Sequence, residues 1–189
     1  QARALFLLGP LPEASAETLR DVCRRVAEAT GQPLPRQYVL ATAIVGQTLT
    51  SSETGVYVRI PEDWQWLPLK QAASAVAVRR YMPWLVSFTV CGVPEQASLD
   101  LIRREYLRNT MLTTMPAEPG RLGDALAIRF AAKTVVGDNT ARYWIAMAKR
   151  GTVLLIVTAA CYERWWDLAE VELKQVMNSV AFVGPGESR

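Results

Sequence analysis

Three apolar segments near the end of the chain constrain it most: Ala125 to Val135, Ala141 to Lys149 and Thr152 to Ala160. Gly137-Asp138-Asn139 and Arg150-Gly151 separate them, and both are hairpin signals. Consecutive hairpins imply a largely antiparallel sheet. Leu126, Ile128 and Phe130 line one face of their strand and Ala125, Ala127 and Ala131 the other, and Val153, Leu155 and Val157 alternate with Leu154, Ile156 and Thr158. Neither face of these strands is polar, so both must be covered. A sheet with helices on both sides follows.

The covering helices are legible. Ser15 reads as an N-cap, and Leu19, Val22, Cys23, Val26 and Thr30 follow helical spacing up to Gly31 and Pro33. Ser98 caps a second helix to about Met111, with Leu99, Ile102 and Tyr106 as its buried stripe. A third covers Trp165 to Val180, on which Trp166, Ala169, Leu173, Val176, Met177 and Val180 share one face.

The other elements are strands and loops. Ala2 to Leu8 reads as a short strand, Gln32 to Arg36 as a linker, and Met115 to Gly120 as a loop. Tyr38 to Leu49 pairs in a hairpin with Gly55 to Ile60. Ala73 to Tyr81 and Leu85 to Val93 are two further strands. The order from Gly55 is β-β-β-α-β-β-β-α. The fold expected is α+β, an α/β/α sandwich around a largely antiparallel sheet. Residues 1–50 form an N-terminal strand and helix packed on the core, 51–183 the main domain, and 184–189 a flexible tail.

The run Ile60-Pro61-Glu62-Asp63-Trp64, that order of elements and the final Val176-Met-Asn-Ser-Val-Ala-Phe182 together resemble the PsbP/Mog fold over about residues 55–183. This group includes PsbP proteins of photosystem II, Mog-type Ran-binding factors, DcrB-type bacterial lipoproteins and type VI effector chaperones. The resemblance implies a binding or assembly protein without catalytic activity. The chain departs from the pattern in having no lipobox-type Cys near Gln1, and residues 1–50 have no counterpart in the minimal pattern.

The sequence holds no histidine, which removes Ser-His-Asp and Cys-His arrangements and the usual zinc sites. It has no Walker or dinucleotide glycine motif. Glu62-Asp63 and Glu170/Glu172 are carboxylate pairs that read as solvated, and Gly137-Asp138-Asn139 is far short of a calcium loop. No catalytic residue, metal ligand or cofactor is assigned.

The net charge is only +3 and the basic residues are scattered, which argues against a nucleic-acid surface. No apolar run reaches the roughly 20 residues of a spanning helix. The chain begins at Gln1 without Met, so the missing signal peptide does not separate the cytoplasm, preferred on sequence alone, from a processed exported form. Cys23, Cys91 and Cys161 read as buried apolar residues, or as one disulfide such as Cys91–Cys161 in an oxidising compartment.

Six tryptophans supply the best functional clue. Trp165, Leu168 and Val171 form an apolar ridge on the outer face of the last helix, which either lies under another element or meets a partner or a second copy. A second cluster is Trp64, Trp66, Leu67, Tyr81 and Trp84, in which Trp66 and Trp84 sit near Arg79 and Arg80, a combination that interface hot spots use, while Trp64 reads as a core anchor. The expected function is a protein-binding adaptor, assembly factor or chaperone. A small-ligand or lipid pocket between sheet and helices is the alternative, and an enzyme of unfamiliar design the third reading.

Overall fold

The computed structural model describes residues 16–40, 43–67, 74–108 and 110–182. The proposed first strand, the Ser15 cap and the tail lie outside these residues.

Among the described residues, seven strands run in the order β4-β5-β6-β11-β10-β9-β7 in one sheet. They are β4 (Trp64–Leu67), β5 (Ser74–Arg79), β6 (Leu85–Gly92), β7 (Thr113–Thr114), β9 (Ala125–Val136), β10 (Asn139–Arg150) and β11 (Val153–Tyr162). An eighth, β8 (Glu118–Leu122), also pairs with β9. A smaller sheet holds β1 (Ala43–Val45), β2 (Thr48–Ser51), β3 (Val56–Arg59) and β12 (Ala181–Phe182). Every pairing among them is antiparallel. The β9–β10 and β10–β11 hairpins turn where the glycines demand it, with Gly137 at φ 58° and Gly151 at φ 57°.

The central strands of the large sheet are buried on both faces, and alternation along them sorts two cores. Toward one side point Val86, Phe88, Leu155, Val157, Ala146 and Ala148. They meet Trp166, Ala169, Leu173 and Val176 of α3 (Trp166–Asn178) and the small sheet's Leu49, Val56 and Val58. Toward the other point Ile145, Met147, Leu154, Ile156 and Phe130. They are covered by Leu19, Val22, Cys23 and Val26 of α1 (Ala16–Thr30) and by Ile102 and Tyr106 of α2 (Leu99–Leu107). This is the α/β/α sandwich, with the small sheet added to the α3 layer.

Local chemistry sets the helix ends. Gly31 at φ 65° ends α1, where Gln32 N–H donates to the Ala27 carbonyl at 3.1 Å. The Ser98 hydroxyl accepts from Leu101 N–H at 3.2 Å to open α2. Helix α2 stops at Leu107 and not near Met111, because the Thr110 hydroxyl and N–H both donate to the Leu107 carbonyl, at 3.0 and 3.1 Å. A 3₁₀ turn, Glu163–Trp165, leads into α3, which ends two residues early so that Ala181–Phe182 can pair with β3.

Three other expectations are corrected. Tyr38 to Leu49 is not one strand: Gly46 at φ 58° folds it into β1 and β2, and the small hairpin built this way stays out of the central sheet. Met115 to Gly120 is not only a loop. Pro119 and Gly120 lie in β8, an edge position where a missing N–H is tolerated. The Trp64–Leu67 segment, not among the expected strands, pairs with β5 in the large sheet.

The Cys91–Cys161 pairing is excluded by the faces. Cys91 belongs to the core beneath α1 and α2, and Cys161 to the core beneath α3, on the other side of the sheet. All three cysteines are buried thiols.

Candidate functional site

The last helix packs over β11 and β6, and a ladder of rings and cations ties it to β10. The Trp144 and Trp166 rings lie 6.5 Å apart, with the Arg142 guanidinium 4.6 Å from the Trp166 ring and Lys174 Nζ 5.2 Å from the Trp144 ring. Lys174 also meets Glu170 at 2.8 Å, and this contact holds the Glu170 carboxyl below its usual range. With Trp166 turned inward, 3% exposed, the other face of α3 points to solvent.

On that outer face Leu168 is 62% and Val171 74% exposed, and Trp165 at the helix start is 36% exposed. None of these three belongs to either buried core. Spacing of three residues puts them on successive turns of one side, so they form one apolar strip bordered by the exposed Asp167, Lys174 and Gln175.

Trp165 also lines an open cleft of about 640 Å³. The other walls are Gln65, Val78, the β5–β6 turn from Arg79 to Pro83, Tyr162 and Arg164. The cleft therefore joins Arg79 and Arg80 to Trp165, residues that lie far apart in sequence. It carries three arginines and no carboxylate among its lining residues. Arg79 is spoken for: Nε donates to Glu172 Oε2 at 2.7 Å and its guanidinium lies 3.2 Å from Asp63. Arg164 sits 5.6 Å from the Tyr162 ring and 5.8 Å from the Trp165 ring. The rings hold its position without cancelling its charge.

Tyr81, on the cleft wall, is the one described non-glycine residue with positive φ, 63°, and its ring is fully exposed. A left-handed backbone costs an L-residue roughly 1–2 kcal/mol, and such strain gathers at functional positions.

Trp84 does lie beside Arg79, whose backbone N–H donates to the Trp84 carbonyl at 3.0 Å, but the tryptophan rings turn into the core. Trp84 is 3% exposed and packs in the core beneath α3. Trp66 is half-buried there, its ring 5.6 Å from Phe88. They face the opposite side of the sheet from Val78 and Tyr162, so Trp84 offers no surface and Trp66 offers little. Trp64 is fully buried as a core anchor, held by a turn in which its N–H donates to the Pro61 carbonyl at 3.0 Å. Sequence reasoning groups Tyr81 with these tryptophans but misses Tyr162 and Arg164, which lie at and just past the end of β11 with no local signal of a cleft.

The space between sheet and helices is filled by buried side chains, so the cleft lies at the strand ends and not between layers. Among the described residues no group of three or more Cys, Asp or Glu is placed to hold a metal ion, and no helix is long and apolar enough to cross a membrane.

This geometry defines the class: a PsbP-like α+β sandwich with an exposed apolar strip beside a basic cleft. The particular relatives are distant in sequence. Cyanobacterial PsbP (CyanoP) of Synechocystis is 14% identical, with 74% of this chain and 95% of that one aligned and a TM-score of 0.57. LpqN of Mycobacterium tuberculosis, described as involved in cell envelope biogenesis, is 10% identical over 79% of this chain and 91% of its own, at 0.57. A Bacteroides thetaiotaomicron protein is 13% identical over 77% of this chain but only 52% of its own, at 0.56. No family profile and no curated protein matches the sequence.

Proposed function

We propose that this chain is a non-catalytic protein-binding domain, whose partner polypeptide packs on the outer face of α3 and reaches into the adjoining cleft. The observation that carries the reading is the exposure of Leu168 and Val171, 62% and 74%, in one strip with Trp165. Burying a Leu or Val side chain contributes roughly 1.5–3 kcal/mol, which is unrealised on this face until something covers it.

The charge of the cleft supports a particular partner chemistry. Arg80 and Arg164 are exposed and no acidic residue lines the cleft, so a partner segment that sets a carboxylate beside apolar side chains is complementary. A second copy of this chain is less suited. A two-fold contact around Trp165 would bring the cleft arginines of both copies together. The role as adaptor, assembly factor or chaperone, within the main domain of residues 51–183, belongs to this reading. The CyanoP and LpqN folds are compatible with it.

A photo-crosslinking side chain placed at position 168 tests the reading, with the same group at exposed Lys133 as control. The protein captured at 168 is identified, purified and titrated against the unmodified chain. A saturable complex that carries the crosslink only at 168 supports the proposal. Equal capture at both positions, or a purified candidate that does not bind, counts against it. The cleft volume also lies within the range of small-ligand sites, about 300–1,000 Å³. A small molecule retained in native mass spectra would favour that second reading.

A further inference from the structure

Cys23 lies on the buried side of α1, and Cys91 lies near the end of β6. Both belong to the core between the two helices and the large sheet. Helix α1 packs directly on β6, and the two thiols are near enough to act on each other's ionisation. Cys161 stands apart. It projects from β11 into the opposite core, so the sheet itself separates it from both other sulfurs. Of the three possible pairings, geometry leaves one open.

We propose that Cys23 and Cys91 form a disulfide when the chain folds under oxidising conditions, fastening α1 to the large sheet while Cys161 remains a thiol. Thiols that share one core at the α1–β6 contact need close only the remaining gap to about 2.05 Å. With oxidised glutathione as oxidant, one protein thiolate attacks its S–S bond and releases one glutathione thiol. The second protein sulfur then attacks that mixed disulfide and releases the other. Two protein thiols are oxidised, one glutathione disulfide is reduced, and the two protons pass to the released thiolates.

The same contact sets the timing. The neighbouring Cys23 thiol, and then burial, hold the Cys91 thiol well above its ordinary range. The thiolate is the reactive form, so exchange is suppressed while α1 is docked. The bond therefore forms while the helix is open, during folding. It closes a loop of about 70 residues, the length at which a crosslink constrains the unfolded chain substantially.

The test refolds the full chain from the reduced state in a glutathione redox buffer, then alkylates free thiols and measures intact mass and peptides. The expected product carries one alkyl group, on Cys161, and a linked peptide pair containing Cys23 and Cys91. Its Tm exceeds that of the reduced chain by on the order of 5–10 °C. Cys161→Ser gives the same linkage, and Cys23→Ala leaves Cys91 alkylated. Chain secreted into an oxidising periplasm gives the same map without any refolding step. Folded protein from both routes with all three cysteines alkylated overturns the proposal, as does any crosslink that includes Cys161.

Discussion

Arg79 at the end of β5 reaches Glu172 on α3, Nε to Oε2 at 2.7 Å, and ties the sheet to the helix that carries the apolar strip. Its side chain is only 21% exposed, against 35% for Glu172. The sequence offers Arg79 as a hot-spot residue beside a tryptophan; its bonds make it a strut. Arg79→Ala is therefore expected to cost about 1 kcal/mol of stability, after allowance for the solvent around Glu172. Thermal denaturation at low and high salt checks this: the deficit should shrink as salt rises. A variant equal to wild type in Tm at low salt contradicts the strut.

A second tie joins the two helices on the other face. Arg25 of α1 donates to Glu105 of α2, Nε to Oε2 at 3.2 Å and its terminal nitrogen to the Glu105 carbonyl at 2.9 Å. Both side chains are mostly buried, so Glu105→Ala leaves a cation without its partner and should cost about 2 kcal/mol. The loss should appear first in α1, as faster amide exchange from Val22 to Ala27. Arg24→Ala removes only exposed pairs to Asp21 and Glu28 and should leave that exchange unchanged.

Gly92 ends β6 where residues 36–37 cross it. A Cβ there would stand 2.1 Å from the Arg36 carbonyl oxygen, and Gln37 exchanges two 3.2 Å hydrogen bonds with the Gly92 backbone. Gly92→Ala must push that segment away, at a cost of roughly 1–3 kcal/mol. Denaturant titration gives the value, and a difference below experimental error would mean the crossing segment yields freely.

The alkaline limit of the fold follows from two buried groups. Burial pushes the Cys161 thiol from 9.0 up to about 12, and the Tyr143 hydroxyl from 10.0 up to about 12. In the unfolded chain both lose their protons earlier. The unfolded state thus binds fewer protons between the two sets of values, and stability falls as pH rises from about 9 through 12. Tm measured across that window should fall steadily, and less steeply in Cys161→Ala.

Much of this fold is legible because its signals are local. Gly137, Gly151 and Gly31 mark turns and a helix end, and the stripe from Trp166 to Val180 marks the buried side of α3. The small sheet is not legible. Gly46 sits inside a β-rich run where one residue decides between a strand and a hairpin, and β12 follows α3 after two residues only. The strip of Trp165, Leu168 and Val171 can be read from helical spacing alone, since Trp166 fixes the opposite face. The cleft cannot. Gln65, Tyr81 and Arg164 come from three separate segments, and only the register of β4, β5, β6 and β11 brings them together. Trp84 misleads for the same reason: it is near Arg80 in sequence, but its ring lies in the core beneath α3.

The most direct measurement of the central claim is the affinity of the crosslinked and purified partner for wild type and for Leu168→Asp/Val171→Asp. Both residues lie outside the buried cores, so the variant should keep its Tm within about 3 °C of wild type. With the partner seated on α3, the dissociation constant rises at least tenfold, which is about 1.4 kcal/mol of lost binding. An unchanged dissociation constant in a folded variant would contradict it and move the binding surface away from α3.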